Sequence, residues 1–245
     1  MINVKLTKPF NSWSTQEIKN ELLELVKGRD TEPLNAKVNF YKNELLPYFE
    51  ELSQRNPFPI VQEQLPIILG VWVPIWSTIP FHDNLPGRIR EQSYQIFHDD
   101  GYYANIARYA PGHESSFWKK VSLRLPAYDF MVMQKYEVRN NQWWIQNVGI
   151  FQAFRNREIP LSVDEADNWF TDVVNTKVKP ALQKGDLPEA LKLENLDKNT
   201  VKKYEKTYLA NFHLEHLYVD CDLRLVKTQR EASQRPSYTI AVPIR

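Results

Sequence analysis

Residues Asp129–Phe154, DFMVMQKYEVRNNQWWIQNVGIFQAF, decide the fold class of this 245-residue chain. The two arms of the segment alternate with a period of two and are rich in Val, Ile, Phe, Tyr and Trp, as strands are. Asn140 and Asn141 lie between the arms and suit a tight hairpin turn. The segment therefore predicts two antiparallel strands, at 128–138 and 142–155.

Both faces of this hairpin carry large apolar side chains. Phe130 and Val132 share one face, and Met131 and Met133 share the other. A sheet with one face in water does not show this pattern. Either helices cover the outer face, or the inner face lines a cavity while the outer face packs on something else.

The rest of the chain predicts a mainly β fold, an antiparallel lipocalin-like β-barrel with N-terminal helices and a helical insertion. About eight strands close such a barrel and leave room for one small ligand. We expect residues 1–60 to form a helical segment on the barrel and residues 61–245 to form the barrel, with the insertion at 162–200. Helices are predicted at 15–27, at 38–54 and from Ser162, and further strands at 70–78, 91–98, 102–109, 120–125, 204–219, 222–228 and 237–244.

The most apolar run of the chain is Leu65–Phe81, LPIILGVWVPIWSTIPF. A helix that spans a membrane needs about 20 apolar residues, and the prolines and the glycine of this run interrupt a helix. Proline and glycine are tolerated at strand starts, edges and bulges. The run is therefore interpreted as β structure, the first strand of the barrel.

Composition limits the classes of function. The chain carries 31 basic and 30 acidic side chains, so it lacks the concentrated positive charge of a nucleic-acid-binding protein. Its single cysteine, Cys221, excludes an internal disulfide, and no Cys/His cluster has zinc-site spacing. No signal or transit peptide is recognisable at the N-terminus, which favours a cytoplasmic protein. No cofactor and no metal are predicted.

Two segments resemble a known family. Asn56-Pro-Phe-Pro59 followed by Leu69–Thr78 is similar to the "NP, then L-x-G-x-W-x-L-x-Y-T-S" pattern of the plastid lipid-associated proteins, or fibrillins. Leu217–Leu225, followed by the apolar strand Tyr238–Val242, resembles their closing "Y-L-D-x-x-L-R-I" and last strand. The chain departs from the pattern in having Trp76 in place of tyrosine, Lys227 in place of arginine and no glycine in its last turn.

The resemblance implies a lipocalin-like barrel that binds or carries a hydrophobic molecule, such as a carotenoid, quinone, other isoprenoid or lipid. It also implies a photosynthetic cell and a peripheral position on thylakoids or lipid globules. A cyanobacterial member, or a plastid protein trimmed of its transit peptide, fits the N-terminus best.

Gly70-x-Trp72 also resembles the opening of lipocalins, in which an arginine from a late strand covers a tryptophan at the barrel base. Arg224 is the candidate partner of Trp72, with Arg245 as second choice. The mechanism is cation–π packing together with guanidinium bonds to backbone carbonyls. We expect Gly70, Trp72 and Arg224 to be structural.

Thioether and aromatic side chains adapt to flat apolar ligands, which selects candidate ligand-binding residues. Trp76 comes first, because regular alternation places it on the same strand face as Trp72. Core packing explains every candidate equally well. The candidates are Trp76, Tyr103, Tyr109, Met131, Met133, Trp144 and Phe151.

An enzyme on the same barrel is the alternative function. Regular alternation places His216, Tyr218 and Asp220 on one face, where imidazole, phenol and carboxylate groups serve acid–base catalysis by an isomerase, cyclase or hydrolase of a hydrophobic metabolite. Mutual hydrogen bonding of buried polar groups is the alternative interpretation. A third hypothesis is a coat protein that touches a membrane surface through Leu85-Pro-Gly87 and the 109–118 loop.

Overall fold

Eight strands form a closed barrel in the part of the chain that the structure, a computed structural model, describes: residues 10–79, 87–110, 126–183, 212–229 and 233–244. Every strand is antiparallel to its neighbours in sequence, and β1 also pairs with β8. The predicted antiparallel barrel is confirmed, and the predicted strand at 120–125 lies outside the described residues. The strands are β1 Gly70–Ser77, β2 Arg88–Phe97, β3 Tyr102–Tyr109, β4 Ala127–Arg139, β5 Gln142–Arg155, β6 Phe212–Val219, β7 Arg224–Gln229 and β8 Ser237–Pro243.

Helices precede the barrel and follow β5. Ser14 and Ser162 each begin a helix with a complete capping box, as their sequence patterns predict. A π-helical turn, Tyr41–Leu45, joins α2 to α3, and Pro47 lies in the first turn of α3, where proline is tolerated. The helices are α1 Thr15–Val26, α2 Leu34–Phe40, α3 Leu46–Gln54, α4 Val61–Ile68, α5 Val163–Val173 and α6 Lys179–Gln183.

Two helical layers cover the outside of the barrel. The first layer is formed by α1 and α3 with the π-helical turn, and it packs against β1, β6, β7 and β8 through Leu22, Phe49, Trp76 and Leu225. The second layer is α5 with the π-helical turn that follows it, and it packs against β2 to β5. Helices therefore cover the outer face, which explains why both faces of the predicted hairpin are apolar.

The run Leu65–Phe81 is not one continuous β segment, which corrects its interpretation. Leu65 to Ile68 end α4, and among the described residues of the run only Gly70–Ser77 form a strand. Gly70 has φ +100°, a conformation that residues with a Cβ rarely adopt, and it allows the sharp change from helix to strand. Helical structure thus continues past residue 60 to the edge of the barrel. In the described ranges, no helix is long and apolar enough to cross a bilayer.

The hairpin between β4 and β5 matches the prediction. Asn140 and Asn141 have φ values of 51° and 57°, the left-handed pair that a tight hairpin turn of the mirrored type requires. The two strands pair from Arg139–Gln142 to Ala127–Arg155 with one irregularity, after Met133. The chain therefore builds its longest strand pair from the segment with the clearest sequence signal.

Two bulges change which way side chains point. The register shifts between Pro74 and Trp76 in β1 and between His216 and Tyr218 in β6. A bulge inserts one residue, so side chains beyond it face the opposite side of the sheet. Trp76 therefore does not share a face with Trp72, and Tyr218 does not share one with His216. Both expectations based on regular alternation were wrong.

Candidate functional site

One hydrogen bond identifies the inner face of the barrel. Arg224 Nη2 donates to Gln95 Oε1 over 2.9 Å, although β7 and β2 are not neighbours in the sheet. The bond therefore crosses the barrel's interior. The Arg224 guanidinium carbon lies 5.2 Å from the ring centre of Trp72 and 4.6 Å from that of Phe97. The predicted contact between Arg224 and Trp72 is present, and the guanidinium bonds a side-chain amide where backbone carbonyls were expected.

A ladder of four amide side chains continues from Gln95 across the inner face. Gln95 donates to Asn105 over 2.9 Å, Asn105 to Gln134 over 2.8 Å, and Gln134 to Asn147 over 2.7 Å. The oxygen of Gln95 accepts from Arg224, every later oxygen accepts from the previous amide, and every nitrogen except that of Asn147 donates to the next, so the dipoles align away from the Arg224 charge. Aligned hydrogen bonds strengthen one another in a low-dielectric interior. The ladder holds Gln95 Oε1 toward Arg224.

Helix α4 covers the end of the barrel that carries Trp72 and Arg224, here called the α4 end. Gln64 Oε1 accepts from Trp143 Nε1 over 2.8 Å and lies 2.9 Å from His216 Nδ1. Trp72 Nε1 donates to the Ile68 carbonyl over 2.8 Å. These bonds join the helix to three strands, and α4 thereby fixes the ring positions at this end.

The protonation of His216 follows from its partner. An indole N–H only donates, so Gln64 presents its oxygen, and His216 Nδ1 must carry the proton of their bond. Burial, and secondarily the Arg224 charge, lower the pKa of His216 well below its usual range, so the ring is neutral. Nε2 is then an acceptor, and no described residue donates to it.

Arg224 retains hydrogen-bonding capacity that the described residues leave unused. Its side chain is 1% exposed, and neither Nε nor Nη1 has a hydrogen-bond partner among them. No carboxylate in the described ranges lies within ion-pair distance of it. Burial lowers the pKa of Arg224 to about 9, so the guanidinium is still charged at neutral pH. The α4 end therefore contains a buried cation that no described residue compensates with an opposite charge.

Between Tyr128 and Met133 of β4, and beyond Gly149 of β5, the inner face of the barrel wall is more accessible than the outer face. Tyr128, Phe130 and Val132 are half-buried, whereas Asp129, Met131 and Met133 between them are buried under α5. On β5, Ile150 is half-buried, and Phe154 is 73% exposed. Apolar side chains therefore remain accessible on the side that faces the barrel's interior.

Aromatic rings cross this inner face at the end of the barrel opposite α4, here called the distal end. Tyr109, Tyr128 and Phe154 are direct cross-strand partners on β3, β4 and β5. Ring centres are 6.0 Å apart for Tyr109 and Tyr128 and 5.6 Å apart for Tyr128 and Phe154. The interior thus joins a polar, charged α4 end to an aromatic distal end.

The structure divides the predicted ligand-binding residues between the two faces. Tyr103, stacked on Phe97 at 4.6 Å, and Tyr109 face the interior. Trp76 is 0% exposed and contacts Phe40 of α2, and Trp144 contacts His213 outside the barrel. The remaining three, Met131, Met133 and Phe151, pack beneath α5.

The predicted acid–base set is divided too. The Tyr218 hydroxyl donates to Asp220 Oδ2 over 2.6 Å, and Lys19 Nζ lies 2.6 Å from the same oxygen, outside the barrel wall. Burial acts to raise the pKa of Asp220, but the hydrogen bonds from Lys19, Tyr218 and the backbone N–H groups of residues 222 and 223 outweigh it and lower the pKa. His216 points inward to Gln64. The three groups therefore belong to two separate sites, and among the described residues no three His, Cys, Asp or Glu side chains could hold a metal ion.

Sequence reasoning missed the polar residues of the interior. Gln64 and the four amides of the ladder were not singled out. A signal for the ladder was present, because Gln95, Asn105, Gln134 and Asn147 are polar residues within otherwise apolar, alternating strands. Buried polar groups require partners, so four amides on adjacent strands predict a connected network.

Comparison with known proteins identifies no relative. No family model matches the chain, and no curated protein and no solved structure matches it either. The resemblance to fibrillins therefore stays a prediction from the quoted motifs.

Proposed function

We propose that the protein binds a hydrophobic small molecule inside the barrel. The observation that carries the proposal is the reversed accessibility of β4: Phe130 and Val132, on the inner face, are half-buried, whereas Met131 and Met133, on the outer face, are covered by α5. Accessible apolar side chains on a concave inner surface are typical of ligand sites. The interior of an eight-stranded barrel is wide enough to hold one small ligand where side chains do not fill it.

The aromatic residues of the distal end suit a flat or extended apolar ligand. Tyr109, Tyr128, Phe130 and Phe154 present several rings on one surface, and aromatic rings offer large contact areas with little conformational freedom to lose. Carotenoids, quinones, other isoprenoids and lipids belong to this chemical class. The setting in a photosynthetic cell depends on the resemblance to fibrillins and, like that resemblance, stays a prediction.

Binding without turnover fits the geometry better than catalysis. The enzyme hypothesis depended on His216, Tyr218 and Asp220 on one face, and the bulge in β6 separates His216 from the other two. His216 is neutral and bonds Gln64, and Asp220 bonds Lys19. Proton transfer by the three groups together therefore has no geometric support.

A pair of matched substitutions tests the proposal. Ala107 lies on the inner face between Ser93 of β2 and Phe130 of β4, and Ala153 lies on the opposite face of β5; both are half-buried. Ala107→Phe places a ring in the interior and should weaken binding of an environment-sensitive polyene probe, methyl cis-parinarate, at least about tenfold, which corresponds to about 1.4 kcal/mol.

Ala153→Phe is the control and should leave the affinity unchanged. Probe fluorescence gives the Kd, and circular dichroism checks that both variants fold. If the wild-type protein does not bind the probe, or if both variants bind it as the wild type does, an interior site is ruled out. Mass spectrometry of molecules that co-purify with the protein then identifies the natural ligand.

A further inference from the structure

The least compensated charge in the described part of the molecule is the Arg224 guanidinium. It is 1% exposed, and its hydrogen bond goes to a neutral amide, that of Gln95. A buried charge without an opposite charge is unfavourable by several kcal/mol. The neighbouring titratable groups do not help: the ring of His216 is neutral, and burial raises the pKa of Tyr103 to about 12, so its hydroxyl stays protonated.

The rings around Arg224 determine how a ligand could reach it. Trp72 and Phe97 lie against the guanidinium, with ring centres 5.2 Å and 4.6 Å from its central carbon. A ligand could therefore reach only the rim of the guanidinium group, the edge along which its N–H groups point outward. On this rim Nη2 is bonded to Gln95, while Nε and Nη1 are without a partner in the described ranges. These nitrogens only donate hydrogen bonds, so a partner must be an acceptor.

Among acceptors, a carboxylate matches this rim best. It accepts charge-assisted hydrogen bonds from arginine, which are about twice as strong as neutral ones, and it supplies the missing negative charge. Beyond Arg224 the inner face carries the amide ladder on β2 to β5 and then the aromatic rings of the distal end. A molecule with an acidic head and a long apolar body matches both ends.

We infer that Arg224 binds the carboxylate head of an amphipathic ligand, whose apolar chain extends along the inner face toward Phe130 and Phe154. The inference rests on the proposed function and specifies its ligand class, an apolar carboxylic acid. Arg224 then has a binding role in addition to its contact with Trp72. A purely structural arginine would stabilise the barrel without distinguishing an acid from its ester.

The test compares cis-parinaric acid with its methyl ester, which have the same apolar chain. The wild-type protein should bind the acid at least about tenfold more tightly than the ester, since a factor of ten requires only about 1.4 kcal/mol. Arg224→Met should remove this preference while the ester affinity stays within about twofold, a change below 0.5 kcal/mol. Arg224→Lys keeps the charge and should retain part of the preference.

Arg155→Met is the control, because Arg155 pairs with Asp129 on the outer face. It should leave the acid-to-ester ratio unchanged. Equal binding of acid and ester by the wild type overturns the inference, as does a preference that survives Arg224→Met. If both probes bind equally and Ala107→Phe weakens both, the proposed function stands and the head-group assignment fails. If neither probe binds, the proposed function itself fails.

A second measurement keeps the inference testable should Arg224→Met not fold. The wild-type preference for the acid is followed from about pH 7 down to about pH 4, a range in which the carboxylate of the free probe takes up its proton while the Arg224 guanidinium stays charged. The preference should fall several-fold by about pH 4, and the ester, which does not titrate, controls for changes in the protein. A preference for the acid that does not fall contradicts the assignment.

Discussion

The two faces of β4 differ in what covers them. Met131 and Met133 on the outer face are 0% exposed, because α5 packs over them with Phe170 and Val173. Phe130 and Val132 on the inner face are equally apolar and yet half-buried. In this barrel the wall packs tightly against α5, and the interior is packed too at the α4 end, where Trp72, Phe97 and Trp143 are buried; the interior keeps apolar surface accessible on the part of β4 and β5 nearer the distal end. Burial and position inside the barrel are therefore two separate properties, and ligand-contacting residues should be sought on the less buried face.

The largest expected effect is the loss of packing under α5. Met131→Ala removes a fully buried side chain and should lower the free energy of unfolding by about 3 kcal/mol, within the usual range for such cavities. Val132→Ala, its neighbour on the inner face, should cost less than about 1 kcal/mol, because its side chain is only partly removed from water. Chemical denaturation of both variants measures the difference. Equal losses would contradict the contrast between the two faces.

The pH dependence of stability tests the charged α4 end. Burial lowers the pKa of Arg224 to about 9 from its ordinary 12.5, so the folded state loses this proton first as the pH rises. Below pH 9 the burial penalty is fully present; above it the unfolded state binds more protons, and this contribution to stability rises with pH by about 1.4 kcal/mol per unit. Unfolding of wild type and Arg224→Met is compared at pH 8 and pH 10.

Tyrosines with raised pKa values oppose this trend in both proteins, so only the difference between them is informative. The wild type should gain stability relative to Arg224→Met as the pH rises. A difference that stays constant between pH 8 and pH 10 would show that Arg224 keeps its proton up to pH 10 in the folded protein.

A smaller effect is expected from removing the N-terminal cap of α5. Ser162 accepts from the Glu165 backbone N–H over 3.2 Å, and Glu165 Oε2 accepts from the Ser162 backbone N–H over 3.0 Å. Ser162→Ala removes the cap and should destabilise the protein by about 1 kcal/mol. Probe affinity should stay the same, because the helix covers the outer face only. Thermal unfolding measures the stability, and titration with the probe measures its affinity. Weakened probe binding would show that packing on the outer face affects the ligand site on the inner face.

The smallest effect on stability is expected at Phe154. Its ring is 73% exposed, so Phe154→Ala should change the free energy of unfolding by less than about 0.5 kcal/mol. The same change removes one ring of the aromatic row and should weaken methyl cis-parinarate binding by roughly threefold to tenfold, the range of one aromatic contact. Affinity that is unaffected would place the ligand away from the distal end.

The sequence predicted most of the fold and part of the site. Strand positions, the Asn140-Asn141 turn and both capping boxes follow from local patterns, which depend on neighbouring residues only. Pairing Trp72 with Arg224 came from a resemblance and matches the contact that the structure shows. The faces of Trp76 and Tyr218 were wrong, since one inserted residue reverses every side chain beyond a bulge.

By itself, the sequence determined that the chain alternates apolar and polar residues in short strands, turns at paired asparagines and begins two helices with serine caps. The tertiary structure alone decided which face of each strand is interior, because helices cover the outer wall and both faces are apolar. It also decided that Gln95 meets Arg224, since that bond joins strands 129 positions apart across the barrel. Local patterns carry no information on contacts made through the closure of a sheet.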